Sequence, residues 1–120
     1  PDAEGGLYLE AEQLAKIGYL YLRGGEWDGD RILTEEWIEN ATAARVSGVN
    51  PAGWGYGYQW WRPDQNGMTV WAGLGFGGQF LFVLPEYDLI GVINCWNLFD
   101  RVDRDIQPDF LRALIDSIQP

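Results

Sequence analysis

The first part of the chain carries hydrophobic residues at helical spacing. Positions i, i+3, i+4 and i+7 of one stripe predict a helix over about residues 10–23. The stripe consists of Leu14, Ile17, Gly18 and Tyr21. Gly24-Gly25 follows this segment. Because glycine accepts the left-handed conformation that ends helices, we expect the helix to stop there.

Two further helices are predicted, one in the first half of the chain and one at its end. Thr34 is the expected N-cap of a helix over about residues 35–44, since its hydroxyl can accept a first-turn N–H. The other covers about residues 108–118, with Pro108 at its first position. Its apolar stripe is formed by Phe110, Leu111, Leu114, Ile115 and Ile118.

Between these helices, hydrophobic and polar residues follow the patterns typical of strands. Strands are predicted at 54–61, 68–72, 79–84 and 89–96. Asn66-Gly67 is a strong hairpin signal between the first two strands, and residues 85–88 form a turn between the last two. The order of elements predicts one α+β unit over residues 1–120, an antiparallel sheet of about three strands with flanking helices.

A glycine-rich segment, residues 73–78, separates two of these strands. Gly73, Gly75 and Gly78 satisfy the dinucleotide pattern G-x-G-x-x-G. That site needs a helix after the last glycine, whereas Gln79 begins another strand pattern, so we reject a nucleotide site. Two interpretations remain open: a bulged strand start that needs glycine, or a close approach of the backbone to a ligand oxygen.

Alternating aromatic residues mark the segment 54–61. Trp54, Tyr56, Tyr58 and Trp60 are expected on one face of a strand. That face either packs in the core under a helix or forms a platform for sugars. The second possibility keeps open a different class of function, an aromatic-rich binding module for a glycan or peptide.

Charge and residue usage restrict the chemistry. The net charge of -10 argues against nucleic acid and against anionic membrane surfaces as partners. Cys95 is the single cysteine and histidine is absent, which excludes an internal disulfide, a Cys–His nucleophile and a histidine metal site within the chain. We expect no cofactor and no metal.

No nucleophile in the chain stands in a recognisable catalytic setting. Ser47 and Ser117 lack a lysine three residues later, and neither lies in a G-x-S-x-G turn. Without histidine, neither can join a Ser-His-Asp triad made from this chain. Cys95 is expected to be buried and inert in the middle of a strand. We therefore assign no catalytic residue within these 120 residues.

Several segments together resemble the serine beta-lactamase-like family, which holds class C beta-lactamases, DD-peptidases, certain esterases and 6-aminohexanoate-dimer hydrolases. The matching segments cover nearly the whole chain. They are residues 5–8, 14–18, 21–27 and 31–37, the Tyr56-Gly57-Tyr58-Gln59-Trp60-Trp61 strand, residues 75–79 and residues 83–89. The resemblance implies part of a beta-lactamase or transpeptidase-like domain.

The resemblance also implies where the nucleophile lies. Members of the family use S-x-x-K, whose serine attacks an acyl carbon, and Y-x-N or Y-x-S, whose tyrosine moves the proton. Lys16 is the only lysine here, and no tyrosine has Asn or Ser two residues later. Both motifs precede the matching segment in the family. We expect this chain to be the carboxy-terminal part of a serine hydrolase, inactive when isolated.

The third family motif, K-T-G with variants such as H-T-G and W-G-G, aligns with Gly73-Leu74-Gly75. The resemblance then makes the Phe76 N–H a donor of the oxyanion hole. A longer-loop alignment puts the motif at 70–72 and the donor at Gly73 instead. The expected oxyanion and substrate-binding residues are Gly73, Leu74, Gly75, Phe76, Gly77 and Gly78. Because the motif lacks Lys, His and Thr, an ester or amide substrate is favoured over a penicillin.

These expectations extend to partners. The parent protein is expected to bind a small-molecule ester or amide, or alternatively to act as a non-catalytic scaffold. The upstream sequence distinguishes the two, because only the hydrolase needs S-x-x-K. The isolated segment should associate with itself through exposed apolar surface and an unpaired strand edge, so a clean monomer in analytical ultracentrifugation would contradict this. The compartment stays unknown, with the periplasm or secretion favoured by the resemblance.

Overall fold

The computed structural model describes residues 5–48, 53–65, 67–95 and 106–118. Three α-helices, one short 3₁₀ helix (Pro85–Tyr87) and seven strands are present in these ranges. The helices are α1 (Ala11–Leu22), α2 (Glu35–Thr42) and α3 (Ile106–Ile118). The strands are β1 (Glu26–Trp27), β2 (Asp30–Arg31), β3 (Gly55–Tyr56), β4 (Trp61–Arg62), β5 (Trp71–Gly75), β6 (Gln79–Leu84) and β7 (Leu89–Asn94).

Five of the strands form one antiparallel sheet in the order β3-β4-β5-β6-β7. This α+β arrangement agrees with the predicted class, but the predicted count of about three strands was too low. The segment 54–61 accounts for part of the difference, because it folds back on itself as two short strands. Its turn is closed by a 2.8 Å hydrogen bond from the Gly57 N–H to the Trp60 carbonyl.

The other two strands form a separate hairpin that the sequence analysis missed. Glu26 pairs with Arg31 and Trp27 with Asp30, on either side of Asp28-Gly29. Both turn residues have positive φ, 50° at Asp28 and 87° at Gly29. Asp-Gly is a preferred sequence for such two-residue turns, so a local signal for this hairpin was present in the sequence.

Helix α1 covers one face of the sheet over β6 and β7. Gly18 is buried at the contact, where a methyl group on its Cα would lie 3.0 Å from Leu81 Cδ1 and 3.1 Å from Val83 Cγ2. A larger side chain at this position would therefore push the helix away from the sheet. Leu14, Tyr21 and Leu22 pack on the same cluster. The predicted apolar stripe thus became the buried face of the helix.

Helix α3 covers the opposite face. The core on this side is formed by Val70, Ala72, Phe80, Phe82, Leu84 and Leu111. The Phe110 ring of α3 lies 6.0 Å from the Phe82 ring. Helix α3 begins at Ile106, so Pro108 occupies its third position. The prediction had placed Pro108 at the first position. A proline in the first turn costs no helical hydrogen bond, which makes either position acceptable.

The remaining helix and strand predictions agree with the structure within a few residues, with two corrections. Thr34 caps α2 by accepting from the Trp37 N–H at 3.1 Å, and Gly25 donates to the Leu20 carbonyl at 2.8 Å at the end of α1. The glycine segment is not all loop, since β5 runs as far as Gly75. Cys95 is half-buried just beyond β7 rather than buried in mid-strand.

Other predicted features fall partly outside the described ranges. Gln65 and Met68 pair on either side of Asn66-Gly67, as a hairpin there requires, but Asn66 itself lies outside the described residues. So does Trp96, the predicted end of the last strand. None of the helices in the described part of the chain is both long and apolar enough to cross a membrane.

Candidate functional site

The predicted oxyanion segment forms the end of the β5–β6 hairpin. Gly75 pairs with Gln79, and residues 76–78 form the turn between them. Gly77 and Gly78 have φ values of 84° and 90°, in the left-handed region that side chains with a Cβ rarely adopt. Phe76 is at the first turn position with 85% of its surface exposed. The glycines are therefore needed by the turn itself.

Hydrogen-bond alternation decides which backbone groups of β5 face outwards. The Cys95 N–H donates to the Gly78 carbonyl at 3.2 Å, across the β6–β7 register. In an antiparallel pair, bonded positions alternate, so Gln79 and Leu81 direct their backbone groups towards β5. Their partners Gly75 and Gly73 are consequently bonded to β6.

The alternate positions of β5 direct their backbone groups to its other edge. Leu74 and the N–H of Phe76 belong to this set, together with Ala72. Ala72 is paired with Trp61 of β4, which is the single register pair between these two strands. Because β4 and β3 are joined by the turn at Tyr58-Gln59, no described strand extends alongside Leu74 or Phe76. This segment is called the open edge below.

A pocket of about 210 Å³ lies beside the open edge, on the α1 face of the sheet. It is lined by Ile17, Tyr21, Gln59, Trp60, Gly73 and Leu81. Trp60 is only 5% exposed and holds its position through rings on both sides, with the Tyr21 ring at 4.7 Å and the Trp71 ring at 6.5 Å. Two of the six lining residues, Tyr21 and Trp60, are therefore aromatic rings packed against each other.

Gly73 gives the pocket its depth. A methyl group at this position would meet only Leu81 Cβ, at the ordinary contact distance of 3.7 Å. The φ of Gly73 is not positive, so neither backbone strain nor crowding requires glycine here. The missing side chain instead leaves open space between the strand and Trp60. We refer to this space as the Gly73 pocket.

The polar groups around the Gly73 pocket are uncharged. The Trp37 indole N–H donates to the Tyr21 hydroxyl at 3.4 Å, and the Tyr56 hydroxyl donates to Gln59 Oε1 at 3.3 Å. The Nε2 amide of Gln59 has no hydrogen-bond partner among the described residues. The pocket thus offers a neutral donor and no lining charge.

Arg62 of β4 is a partly buried cation on the same strand as Trp61, and it is not part of the pocket lining. Its guanidinium donates to the Thr42 carbonyl at the end of α2. Burial lowers the pKa of this guanidinium from its usual value, since the charged form loses hydration. Arg62 therefore joins β4 to α2 and leaves the pocket neutral.

The predicted site residues separate into two groups in the structure. Gly73 lies in the pocket wall, whereas the Leu74 side chain packs on the α3 core and Phe76 lies at the exposed hairpin tip. The other pocket residues come from α1, the β3–β4 turn and β6, and among them only Trp60 was considered for binding in the sequence, as part of the aromatic face. Ile17 and Leu81 look like ordinary core residues in the sequence, so no local signal marked them.

The two serines take no part in this region of the described structure. Ser117 is exposed on α3, where its Oγ donates to the Leu114 carbonyl at 2.6 Å, and Ser47 is exposed in the loop after α2. No group of three or more acidic or cysteine side chains in the described ranges could hold a metal ion. The chemistry available here is thus hydrogen bonding and apolar contact.

The predicted aromatic face of 54–61 does not form. Trp60 is buried against Tyr21, whereas Tyr58 lies in the turn with 45% of its surface exposed. The turn at Tyr58-Gln59 breaks the alternation that would have placed these rings side by side. The core interpretation is correct for Trp60, and the prediction that all four aromatic residues share one face was wrong.

Comparison with known proteins identifies the family to which this chain belongs. A sequence profile described as beta-lactamase matches residues 1–114. The chain belongs to the beta-lactamase family. It is 30% identical over 104 residues to a 6-aminohexanoate-dimer hydrolase of Paenarthrobacter ureafaciens, covering 78% of this chain and 26% of that protein.

Two solved structures are similar to this chain in fold. One is described as a putative 6-aminohexanoate-dimer hydrolase from Bacillus anthracis, with a TM-score of 0.73 and 27% identity over 90% of this chain and 28% of that one. A penicillin-binding protein homologue from Caulobacter crescentus has a TM-score of 0.59 at 24% identity, over 70% of this chain and 25% of its own. The latter likeness shows the fold alone. The beta-lactamase family chain described here spans about a quarter of these proteins.

Proposed function

We propose that this chain forms the oxyanion and substrate side of a serine hydrolase that cleaves an ester or amide through an acyl-enzyme. The nucleophile and its base belong to residues outside this chain, and the 120 residues alone have no turnover. The observation that carries the proposal is the open edge at Leu74 and Phe76 beside a neutral pocket. Membership of the beta-lactamase family supports the hydrolase class.

The Phe76 N–H is the donor that we assign to the oxyanion hole. Alternation along β5 directs it to the open edge, whereas the N–H of Gly73 faces β6. This supports the alignment of the third motif with Gly73-Leu74-Gly75 over the alternative that makes Gly73 the donor. A backbone donor aimed at developing negative charge is typically worth roughly 3 kcal/mol in the transition state.

The uncharged surroundings favour a simple ester or amide over a penicillin. A penicillin carries a carboxylate, and binding it in a partly buried site requires a cation or several donors. The pocket lining contains no charged side chain, and the segment 73–75 supplies none either. The same segment therefore supports hydrolysis of neutral substrates.

A covalent probe tests the hydrolase proposal. The polypeptide that includes the upstream coding sequence should be labelled at one serine by a fluorophosphonate, and mass spectrometry should locate this serine outside the present 120 residues. The isolated chain should stay unlabelled, which serves as the control. Labelling of Ser47 or Ser117 would overturn the proposal, as would an unreactive full-length protein.

A proline substitution tests the donor. Phe76→Pro removes the N–H, and proline suits the first position of a turn. In the full-length protein we expect kcat for an ester to fall about 10²- to 10³-fold. Phe76→Ala keeps the N–H and is the matched control, since the exposed ring has few contacts to lose. Equal losses in both variants would show that the side chain and not the donor matters.

A further inference from the structure

The Gly73 pocket has a size and chemistry that select one kind of group. We propose that it is the subsite for a short, uncharged apolar group next to the scissile carbonyl, and that Gln59 binds a carbonyl oxygen of the substrate at its mouth. Placing this group beside the reacting bond rests on the proposed function. The binding of such a group to the pocket does not, because every residue needed is in this chain.

The volume limits the occupant. A sealed apolar cavity of roughly 150 Å³ is sufficient for benzene, whereas pockets for drug-sized ligands begin at roughly 300 Å³. The Gly73 pocket, at about 210 Å³, lies between these values and opens to solvent. It therefore accommodates a chain of a few methylenes or one small ring.

The lining determines the charge of the occupant. Ile17, Leu81 and the Trp60 ring present apolar surface, and the Tyr21 hydroxyl already accepts a hydrogen bond from Trp37. An ion placed here would lose its hydration without gaining a partner of opposite charge. Because the whole chain has a net charge of -10, an anion is further disfavoured. The occupant is thus neutral and largely apolar.

Gln59 is the residue that gives the site polarity and direction. Its Oε1 is occupied by the Tyr56 hydroxyl, which leaves the Nε2 amide able to donate to a ligand oxygen. Its backbone has a φ of 67°, a left-handed conformation that glycine or asparagine adopts at lower cost. Strain at a residue that lines a pocket is typical of functional positions. A carbonyl oxygen is the matching acceptor.

A homologous series of ligands tests the pocket in the polypeptide that includes the upstream coding sequence. Straight-chain amides from butanamide to octanamide are titrated into ¹⁵N-labelled protein, and the Gly73 amide and Trp60 indole signals are followed. Each methylene should tighten binding about fourfold until the pocket is filled, after which affinity should level off. Hexanoate should bind at least about tenfold more weakly than hexanamide, because its carboxylate loses hydration.

Variants at Gly73 establish the location. Gly73→Val should abolish the response to hexanamide, since its methyl groups occupy the space beside Leu81. Gly5→Val is the matched control, because a Cβ at Gly5 meets nothing within 4 Å and the residue is outside the pocket. Undiminished hexanamide binding by a folded Gly73→Val protein would overturn the proposal, as would amides that shift signals elsewhere.

Variants at Gln59 keep the test decisive even if Gly73→Val fails to fold. Gln59→Gly should weaken hexanamide binding about fivefold, as expected for one neutral hydrogen bond, while raising the melting temperature because the strain is relieved. Gln59→Asn keeps an amide and tolerates the same φ, so part of the affinity should return. A purely structural role for Gln59 predicts a higher melting temperature with unchanged affinity, and that result would overturn its assignment.

The outcomes also separate this inference from the hydrolase proposal. Amide binding with an unlabelled full-length protein would retain the subsite and reject the serine hydrolase. Serine labelling without amide binding would do the reverse. In the second case, the pocket is filled by other parts of the protein and not by substrate.

Discussion

Strand β5 contributes differently to the two faces of the sheet. On the α3 face, β5 contributes Ala72 and Leu74 to a closed core in which Phe82 is fully buried. On the α1 face, the same strand contributes Gly73 and Gly75, and a pocket remains beside Trp60. Side chains alternate between the faces of a strand, so one segment can stabilise the fold on one side and leave a binding surface on the other.

The difference teaches where mutations should affect stability and where they should affect function. Buried side chains of the α3 face have no role at the open edge, and the glycine of the pocket has no crowded neighbours. Loss of stability should therefore be concentrated at the buried side chains, in the α3 core and in the cluster of Leu81 and Val83 under α1. Loss of ligand binding should be concentrated at Gly73 and Gln59.

The largest expected effect on stability is at Phe82. Phe82→Ala removes a fully buried ring that packs against Phe80 and Phe110, and should cost about 3–5 kcal/mol in the free energy of unfolding. Urea denaturation followed by tryptophan fluorescence measures it. Gly73→Ala on the other face should change the same quantity by less than about 1 kcal/mol. Similar losses for both would contradict the distinction between buried side chains and the pocket glycine.

An intermediate effect is expected where α3 approaches β7. A methyl group at Gly91 would lie 2.3 Å from Leu114 Cδ1, so Gly91→Ala overpacks the contact. We expect a loss of about 1–3 kcal/mol in thermal or urea unfolding, because Leu114 must move to another rotamer. The double variant with Leu114→Ala should recover part of the loss, since it removes the clashing atoms. A lack of any recovery would mean that the helix contact is not the cause.

The smallest effect is expected at an ion pair on the surface of the α1 side. Arg23 and Asp88 are 2.9 Å apart, with 43% and 61% of their side chains exposed. The hydrogen bond that Arg23 donates to the Asp88 carboxylate raises the pKa of Arg23 from its usual value, but water and salt screen an exposed pair. Asp88→Asn keeps a residue that tolerates the φ of 51° and should leave the melting temperature unchanged. If the melting temperature of Asp88→Asn were clearly lower than that of the unmodified protein at low salt and equal to it at high salt, the ion pair would be shown to hold α1 in place.

Local patterns predicted the elements whose signals lie within a few residues. The Thr34 cap and the glycines after α1 are such signals, and both function as expected. The segment 54–61 shows the limit, because its alternation suits one strand or two. The turn depends on Gln59 in a left-handed conformation, for which glutamine has no preference. Packing of Trp60 under α1 favours the turn, and this contact is distant in sequence.

By itself, the sequence determined the α+β class and the family resemblance. Those properties depend on periodicity and on the order of short motifs. The tertiary structure alone decided that Gly73 faces a pocket, that its N–H is bonded to β6, and that the backbone N–H groups of Leu74 and Phe76 point to the open edge. The physical reason is that a backbone group of a strand is hydrogen-bonded only where a neighbouring strand lies beside it. The pairing of β4 with β5 ends at Ala72.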